Sequence, residues 1–334
     1  MKRVNHLSGL VAAPENLRLA FWKARKGKSY AKEVTAYRDN LQANLIQLRQ
    51  QILSGLVDVG CYRFFKVFDP KERQICASAF SEQVLHHALM NICHDRFERV
   101  QVYDSYACRK GKGTYAAINR AKKFTRKRDW FLKLDVRKYF DSVSHEVLQV
   151  QLEHVFKDYR ILEIFEKIIA SYKVQADRGL PIGSLTSQYF ANHYLSGLDH
   201  FVKEVLRIKA YVRYMDDMIL WHHDKTILKQ ARDAIRDYVY TKLHCELKPA
   251  LLNRTARGLP FLGYVLYPHY VTLSQRSKTR FIRKMSELET RYQSGEWREA
   301  TCQRRILPLL AFARHADSKI FREKVLTNIQ GQSA

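Results

Sequence analysis

The chain has 334 residues, enough to bury a sizeable core as one large lobed unit or as two domains, and its 46% hydrophobic fraction is that of an ordinary folded protein. Its 58 basic against 33 acidic residues give a net charge of +25, which favours a polyanionic partner through counterion release. No apolar run approaches the roughly 20 residues of a bilayer-spanning helix, so no membrane attachment is expected. The N-terminal stretch shows no apolar core followed by a cleavage site, which predicts a cytoplasmic protein. Six cysteines and thirteen histidines without CxxC, HxxxH or HExxH spacing argue for reduced thiols and against a zinc site.

In chain order, residues 14–55 are predicted helical: PENLRLAFWKARKG closes on Gly27, and YAKEVTAYRDNLQANLIQLRQQILSG closes on Gly55. After Gly60, CYRFFKVFDPKERQICASAF reads as a hairpin turning at Asp69-Pro70, and SEQVLHHALMNICHDRFERV returns to helix. From Arg109 to Arg128 there are nine Lys or Arg and no acid, with Tyr106 and Tyr115 nearby. That pattern suits nucleic-acid contact, with a solvated helical face as the bland alternative. WFLKLDVRKYF is a predicted strand whose apolar residues flank Asp135, and a lone carboxylate there needs compensation. Helices follow around 144–172, Gly179-Leu180-Pro181-Ile182-Gly183 breaks the chain, and SLTSQYFANHYLSGLDHFVKEVL is helical again. AYVRYMDDMILWHH has β-formers on both sides of Asp216-Asp217, which places these acids at a hairpin tip. LPFLGYVLY reads as one more short strand, and Gln275 to Ala316 as basic helix forming a candidate terminal lobe.

Nucleic-acid extension attacks an α-phosphate with a 3′-hydroxyl, and two divalent ions about 3.5–4 Å apart activate the nucleophile and neutralise the leaving pyrophosphate. Magnesium takes one or two carboxylates with phosphates and water, a demand that Asp135 on one strand and Asp216-Asp217 on a neighbouring hairpin can meet. A DD pair alone is more often a solvated turn, and a lone strand Asp more often a loop cap.

Their context is specific. FLKLDVRKYFDSV, LPIGSLTSQYFAN, YMDD and FLGY, in that order, resemble the motifs of the reverse-transcriptase family over roughly residues 60–315. The resemblance implies an α+β right-hand polymerase: a helical extension at 1–55, fingers at 56–130, a palm of antiparallel sheet and helices at 131–270 and a helical thumb at 271–334. It implies RNA-directed DNA synthesis from template RNA and deoxynucleoside triphosphates with two Mg2+ ions, Asp135 and Asp216 being the ligands and Asp217 the adjacent acid. By the same match Lys71 and Arg73 hold the triphosphate, and Arg109 touches template or nucleotide. Phe140 underlies the incoming sugar, where a 2′-hydroxyl would clash; Tyr139 beside it leaves simple core packing as an alternative. Ile182, Gly183 and Gln188 belong to the nucleotide motif, and Phe261, Leu262, Gly263 and Tyr264 contact the primer.

Ile182 stands where retroviral and group II intron enzymes commonly have glutamine. With the string IGSLTSQ, the short length and no appended nuclease or maturase segment, the chain resembles the reverse transcriptase of a diversity-generating retroelement. That implies cDNA synthesis with errors opposite template adenines and a pentameric, basic accessory variability protein as partner. The rivals are a retron, phage-defence or group II intron-like reverse transcriptase and, from another class, a catalytically dead polymerase fold serving as an RNA-binding scaffold.

Overall fold

The structure is a computed structural model that describes residues 3–68 and 72–331. The expected turn at Asp69-Pro70 and the candidate Lys71 therefore lie outside the described residues. Strands β1 (Tyr62–Val67) and β2 (Arg73–Ser78) form the predicted antiparallel pair, a two-stranded sheet of their own. The central sheet is built from β3 (Trp130–Asp135), β4 (Tyr211–Tyr214), β5 (Asp217–His222) and β6 (Leu251–Arg254), in the order β4-β5-β3-β6 and antiparallel throughout.

Side chains alternate across this sheet, as the two-residue strand period requires. Leu132 and Leu134 of β3 join Met218 and Leu220 of β5 in one core, whereas Phe131 joins Val212, Ile219 and Trp221 in a second. The sheet is thus a wall shared by two cores. The first core also takes in the N-terminal helices: Val11, Phe21 and Ile52 are buried with Leu89 of the helix Phe80–Val100 and with Phe165. The first 55 residues are therefore part of the main packing. Their predicted second helix is split at Asn40 (φ −116, ψ 33) into Lys32–Asp39 and Leu41–Ser54, and it ends on left-handed Gly55 (φ 77) as expected.

The second core gathers the basic helix Thr114–Lys127, which buries Ala117, Ile118, Ala121 and Thr125, so the basic run has a packing face as well as a charged one. It also takes a three-stranded sheet, β7 (Leu259–Phe261), β8 (Tyr264–Leu266) and β9 (Val271–Leu273). LPFLGYVLY is therefore two strands rather than one. Leu262 (φ 48) and Gly263 (φ 90) form a two-residue turn with both central residues at positive φ, a geometry that glycine eases. The helices Gln275–Gln293 and Glu299–Arg314 contribute Phe281, Met285, Leu288 and Ala313 to this core.

Residues 225–243, for which no element is predicted above, form the helix Lys225–Leu243. Asp224 caps it by accepting from the Thr226 amide at 2.6 Å, and Leu228, Ala231, Ile235, Val239 and Leu243 line its buried face. Among the described residues no helix is long and apolar enough to cross a membrane.

Candidate active site

In the β3–β5 pairing Asp135 sits directly opposite Asp217. Opposed residues of an antiparallel pair project from the same face, so this register brings together two acids that are 82 positions apart in the chain. Tyr214 pairs with Asp217, leaving Met215 and Asp216 as the two-residue turn between β4 and β5. Met215 takes left-handed φ (55), which puts Asp216 at the tip beside the pair. The predicted hairpin tip and the predicted convergence of Asp135, Asp216 and Asp217 are both present.

Two lysines hold these carboxylates. The Lys248 ammonium donates to Asp135 Oδ1 at 2.6 Å, while its backbone N–H donates to the Asp135 carbonyl. Lys133, one strand repeat before Asp135, reaches Asp217 Oδ2 at 2.9 Å and donates to the Pro260 carbonyl at 3.0 Å. The other Asp217 oxygen, Oδ1, is buried with no hydrogen-bond partner. Burial pushes the Asp217 carboxyl up to about 6 against the opposing pull of Lys133. Asp216 is likewise raised, first by burial and then by the Asp135 charge, while Lys248 and Arg73 oppose the shift. Among the described residues no three His, Cys, Asp or Glu side chains form a ready-made metal cage.

The Arg73 charge that reaches Asp216 comes from the exposed start of β2, and the Cys76 amide of the same strand donates to the Ile182 carbonyl at 2.8 Å. Gly183 packs so closely that a Cβ would lie 2.9 Å from the Cys76 carbonyl oxygen, and its φ is +124; no other residue fits there without strain. The Leu180 amide donates to the Phe140 carbonyl at 2.8 Å, which places Phe140 beside the same loop. Phe140 is half-buried, whereas Tyr139 is core and donates from its hydroxyl to the Ala191 carbonyl. Gln188 is half-buried one turn into the helix Leu185–Tyr194. Arg109 departs from expectation. Its Nε and Nη2 grip Glu98 and its Nη1 takes the Val102 and Ser105 carbonyls, so this side chain is turned inward and holds its own loop. Phe261 and Tyr264 are also turned inward, into the second core, so of FLGY only the turn Leu262-Gly263 is partly exposed.

A profile of the family described as reverse transcriptase (RNA-dependent DNA polymerase) matches residues 71–266, more than half of the chain. The chain belongs to the reverse-transcriptase family. Relatives of this reverse transcriptase include a putative COX1/OXI3 intron 2 protein of Saccharomyces cerevisiae, 24% identical over 43% of this chain and 16% of that protein. The group II intron-encoded protein LtrA of Lactococcus lactis subsp. cremoris is 23% identical over 40% of this chain and 24% of that protein. The aligned stretch thus spans a quarter or less of those relatives. Among solved structures, telomerase from Candida albicans with the TWJ fragment of telomeric RNA aligns with TM-score 0.51 at 14% identity, covering 73% of this chain and 52% of that one. Apo telomerase from Candida tropicalis gives 0.51 at 12% identity, covering 66% of this chain and 49% of that one. These likenesses speak for the polymerase fold, with its mixed helices and sheet.

Lys133 and Lys248 are absent from the residues singled out in the sequence. Lys133 carried a signal, since two residues before Asp135 on a strand means the same face; Lys248 lies 113 positions away from its partner and carried none.

Proposed function

We propose that this reverse transcriptase is an RNA-directed DNA polymerase that copies template RNA into cDNA, with Asp135, Asp216 and Asp217 as its metal-binding acids. The observation that supports it most is the β3–β5 register that sets Asp135 against Asp217 with Asp216 at the adjoining tip. The donor chemistry fits two Mg2+ ions. Carboxylate oxygens are the hard ligands that magnesium prefers, substrate phosphates ordinarily complete its shell, and the unpartnered Asp217 Oδ1 is a buried anionic oxygen without a proton donor. When bound, the ions supply activation of the primer hydroxyl and charge neutralisation at the leaving pyrophosphate. Lys248 and Lys133 hold Asp135 and Asp217, so bound cations would share these carboxylates with the two ammonium groups.

Around this centre Arg73 receives triphosphate, Phe140 excludes the 2′-hydroxyl, and the Ile182-Gly183 loop with Gln188 borders the nascent base pair. The Leu262-Gly263 turn meets the primer strand. In the right-hand reading residues 56–130 are fingers, 131–270 palm and 271–334 thumb, with 1–55 packed into the main core. The test is primer extension with template RNA, deoxynucleotides and magnesium, beside the Asp216→Ala/Asp217→Ala variant. DNA from the native chain alone is expected; a folded native chain that makes none favours the scaffold alternative.

The finer reading is a diversity-generating retroelement enzyme acting with a pentameric basic accessory protein. Ile182 is its support: an aliphatic side chain there offers no polar contact to the base pair and so weakens discrimination against a mispair. Ile182→Gln is expected to lower misincorporation opposite template adenines, read by sequencing cDNA; an unchanged adenine error rate removes Ile182 from the explanation. The intron-encoded relatives favour a second reading, a group II intron-like reverse transcriptase; a native error rate without excess at template adenines would support it.

A further inference from the structure

On the other face of β4, one residue before the acidic turn begins at Tyr214, Arg213 is completely buried together with Asp199. Its Nε and Nη2 fork onto the two Asp199 oxygens at 2.7 and 2.6 Å. The rest of the guanidinium is also engaged: Nη1 donates to the Met215 carbonyl at 3.0 Å and to Asn192 Oδ1 at 3.1 Å, and Nη2 to Gln101 Oε1 and the Asn192 carbonyl. The Tyr211 hydroxyl donates to Asp199 Oδ1 at 2.7 Å, completing the anchor.

A buried ion pair adds little net stability over apolar residues of the same volume, so stability alone does not explain this one. Its geometry does. Met215 holds a left-handed φ of 55 that side chains disfavour, and such a residue persists only where its surroundings over-determine it. A guanidinium fixed by Asp199 and bonded to the Met215 carbonyl is such a constraint. Lysine, with a compact ammonium on a flexible stem, cannot reach these acceptors at once.

We infer that Arg213 is a positioning residue for the acidic turn: anchored by Asp199, it fixes the Met215 carbonyl and so aims Asp216 and Asp217 at Asp135. The same fork grips Asn192, on the helix that follows the Pro181–Gly183 loop, and therefore couples the turn to the nucleotide motif. The catalytic consequence rests on the polymerase reading; the locking of the turn does not.

The test uses the full chain with Arg213→Lys, the native protein and Asp216→Asn. It measures thermal unfolding, backbone hydrogen exchange of 211–218, Mn2+ affinity by paramagnetic resonance, and kcat and KM for deoxynucleotide. In Arg213→Lys, exchange should rise locally at 214–217, Mn2+ affinity should weaken, and kcat should fall by about 10²-fold, the scale of a roughly 1 Å misplacement. KM should move far less, because ground-state contacts to the nucleotide are retained. Should Arg213→Lys fail to fold, the double variant Arg213→Gln/Asp199→Asn removes both charges together and keeps polar groups at both positions; the same local pattern is expected. Native exchange, kcat per folded molecule and Mn2+ affinity in a folded variant would overturn the proposal. Unfolding of both variants would overturn it too, assigning the pair to folding alone. If the native chain makes no DNA yet the variant loosens the turn locally, the polymerase reading fails and the positioning role stands.

Discussion

Two charge clusters lie on opposite faces of one sheet, a few residues apart along β4 and β5, and they are built on opposite principles. On one face Arg213 and Asp199 are fully buried and satisfied, every acceptor of the carboxylate being met by the guanidinium or by Tyr211. On the other, Asp135, Asp216 and Asp217 are crowded and partly exposed, with one buried oxygen unpartnered and two carboxyls held above their ordinary range. A charge cluster that holds a backbone turn in place is closed on itself. The acidic cluster is left unsatisfied, which accords with the metal-binding role proposed for it.

The largest effect that separates the two should come from Asp216→Asn or Asp135→Asn. Each is expected to cut primer extension by about 10³-fold or more, the several kcal/mol that metal-assisted charge stabilisation supplies, while leaving the urea unfolding midpoint at or above the native value. A midpoint that falls with activity would erase the distinction. Next, Asp199→Ala should destabilise the fold by roughly 3–5 kcal/mol, since it strands a buried guanidinium; a native-like urea midpoint would show that Arg213 finds water or another acceptor.

A smaller effect concerns pH. The Asp217 carboxyl is raised to about 6 in the fold, against roughly 3.9 in an unfolded chain. Because the folded value is the higher, this group favours folding while protonated: its contribution is present below pH about 4 and is lost as pH climbs through about 6. In metal-free buffer the native protein should therefore lose on the order of 2–3 kcal/mol of stability from this residue across that window. Asp217→Asn should lack that slope, and parallel curves for the two proteins would remove the premise that Asp217 is frustrated. The smallest change is Lys133→Met, which withdraws the opposing ammonium and should move the same transition upward by up to about one pH unit, read from the same curves.

The acidic face was legible in the sequence because its elements announce themselves locally. Asp135 interrupts an apolar strand, Asp216-Asp217 interrupt a hairpin, and Gly183 sits in a chain break where close approach demands it. The closed cluster was not. Asp199 is on a helix and Arg213 on a strand, and nothing within either segment marks them as partners. Arg109 misled for a related reason: in a run of nine basic residues its capture by Glu98, at the far end of another helix, leaves no local trace. The turn at Leu262-Gly263 was hidden by the lack of a strong turn dipeptide, because leucine rarely takes positive φ. Helix Lys225–Leu243, by contrast, is marked locally by its cap at Asp224 and its apolar stripe.

The central sheet also dictates how the protein tolerates shortening. Phe131, Val212, Ile219 and Trp221 share the second core with the helix Thr114–Lys127, the sheet β7–β9 and the helices beyond it. A version cut near residue 255 would not be a smaller polymerase with its acids intact. It would open the second core on the side that Leu259, Phe261, Tyr264 and Leu266 fill, an apolar patch of the kind through which chains self-associate. Precipitation, rather than trimmed activity, is the fate such a fragment invites.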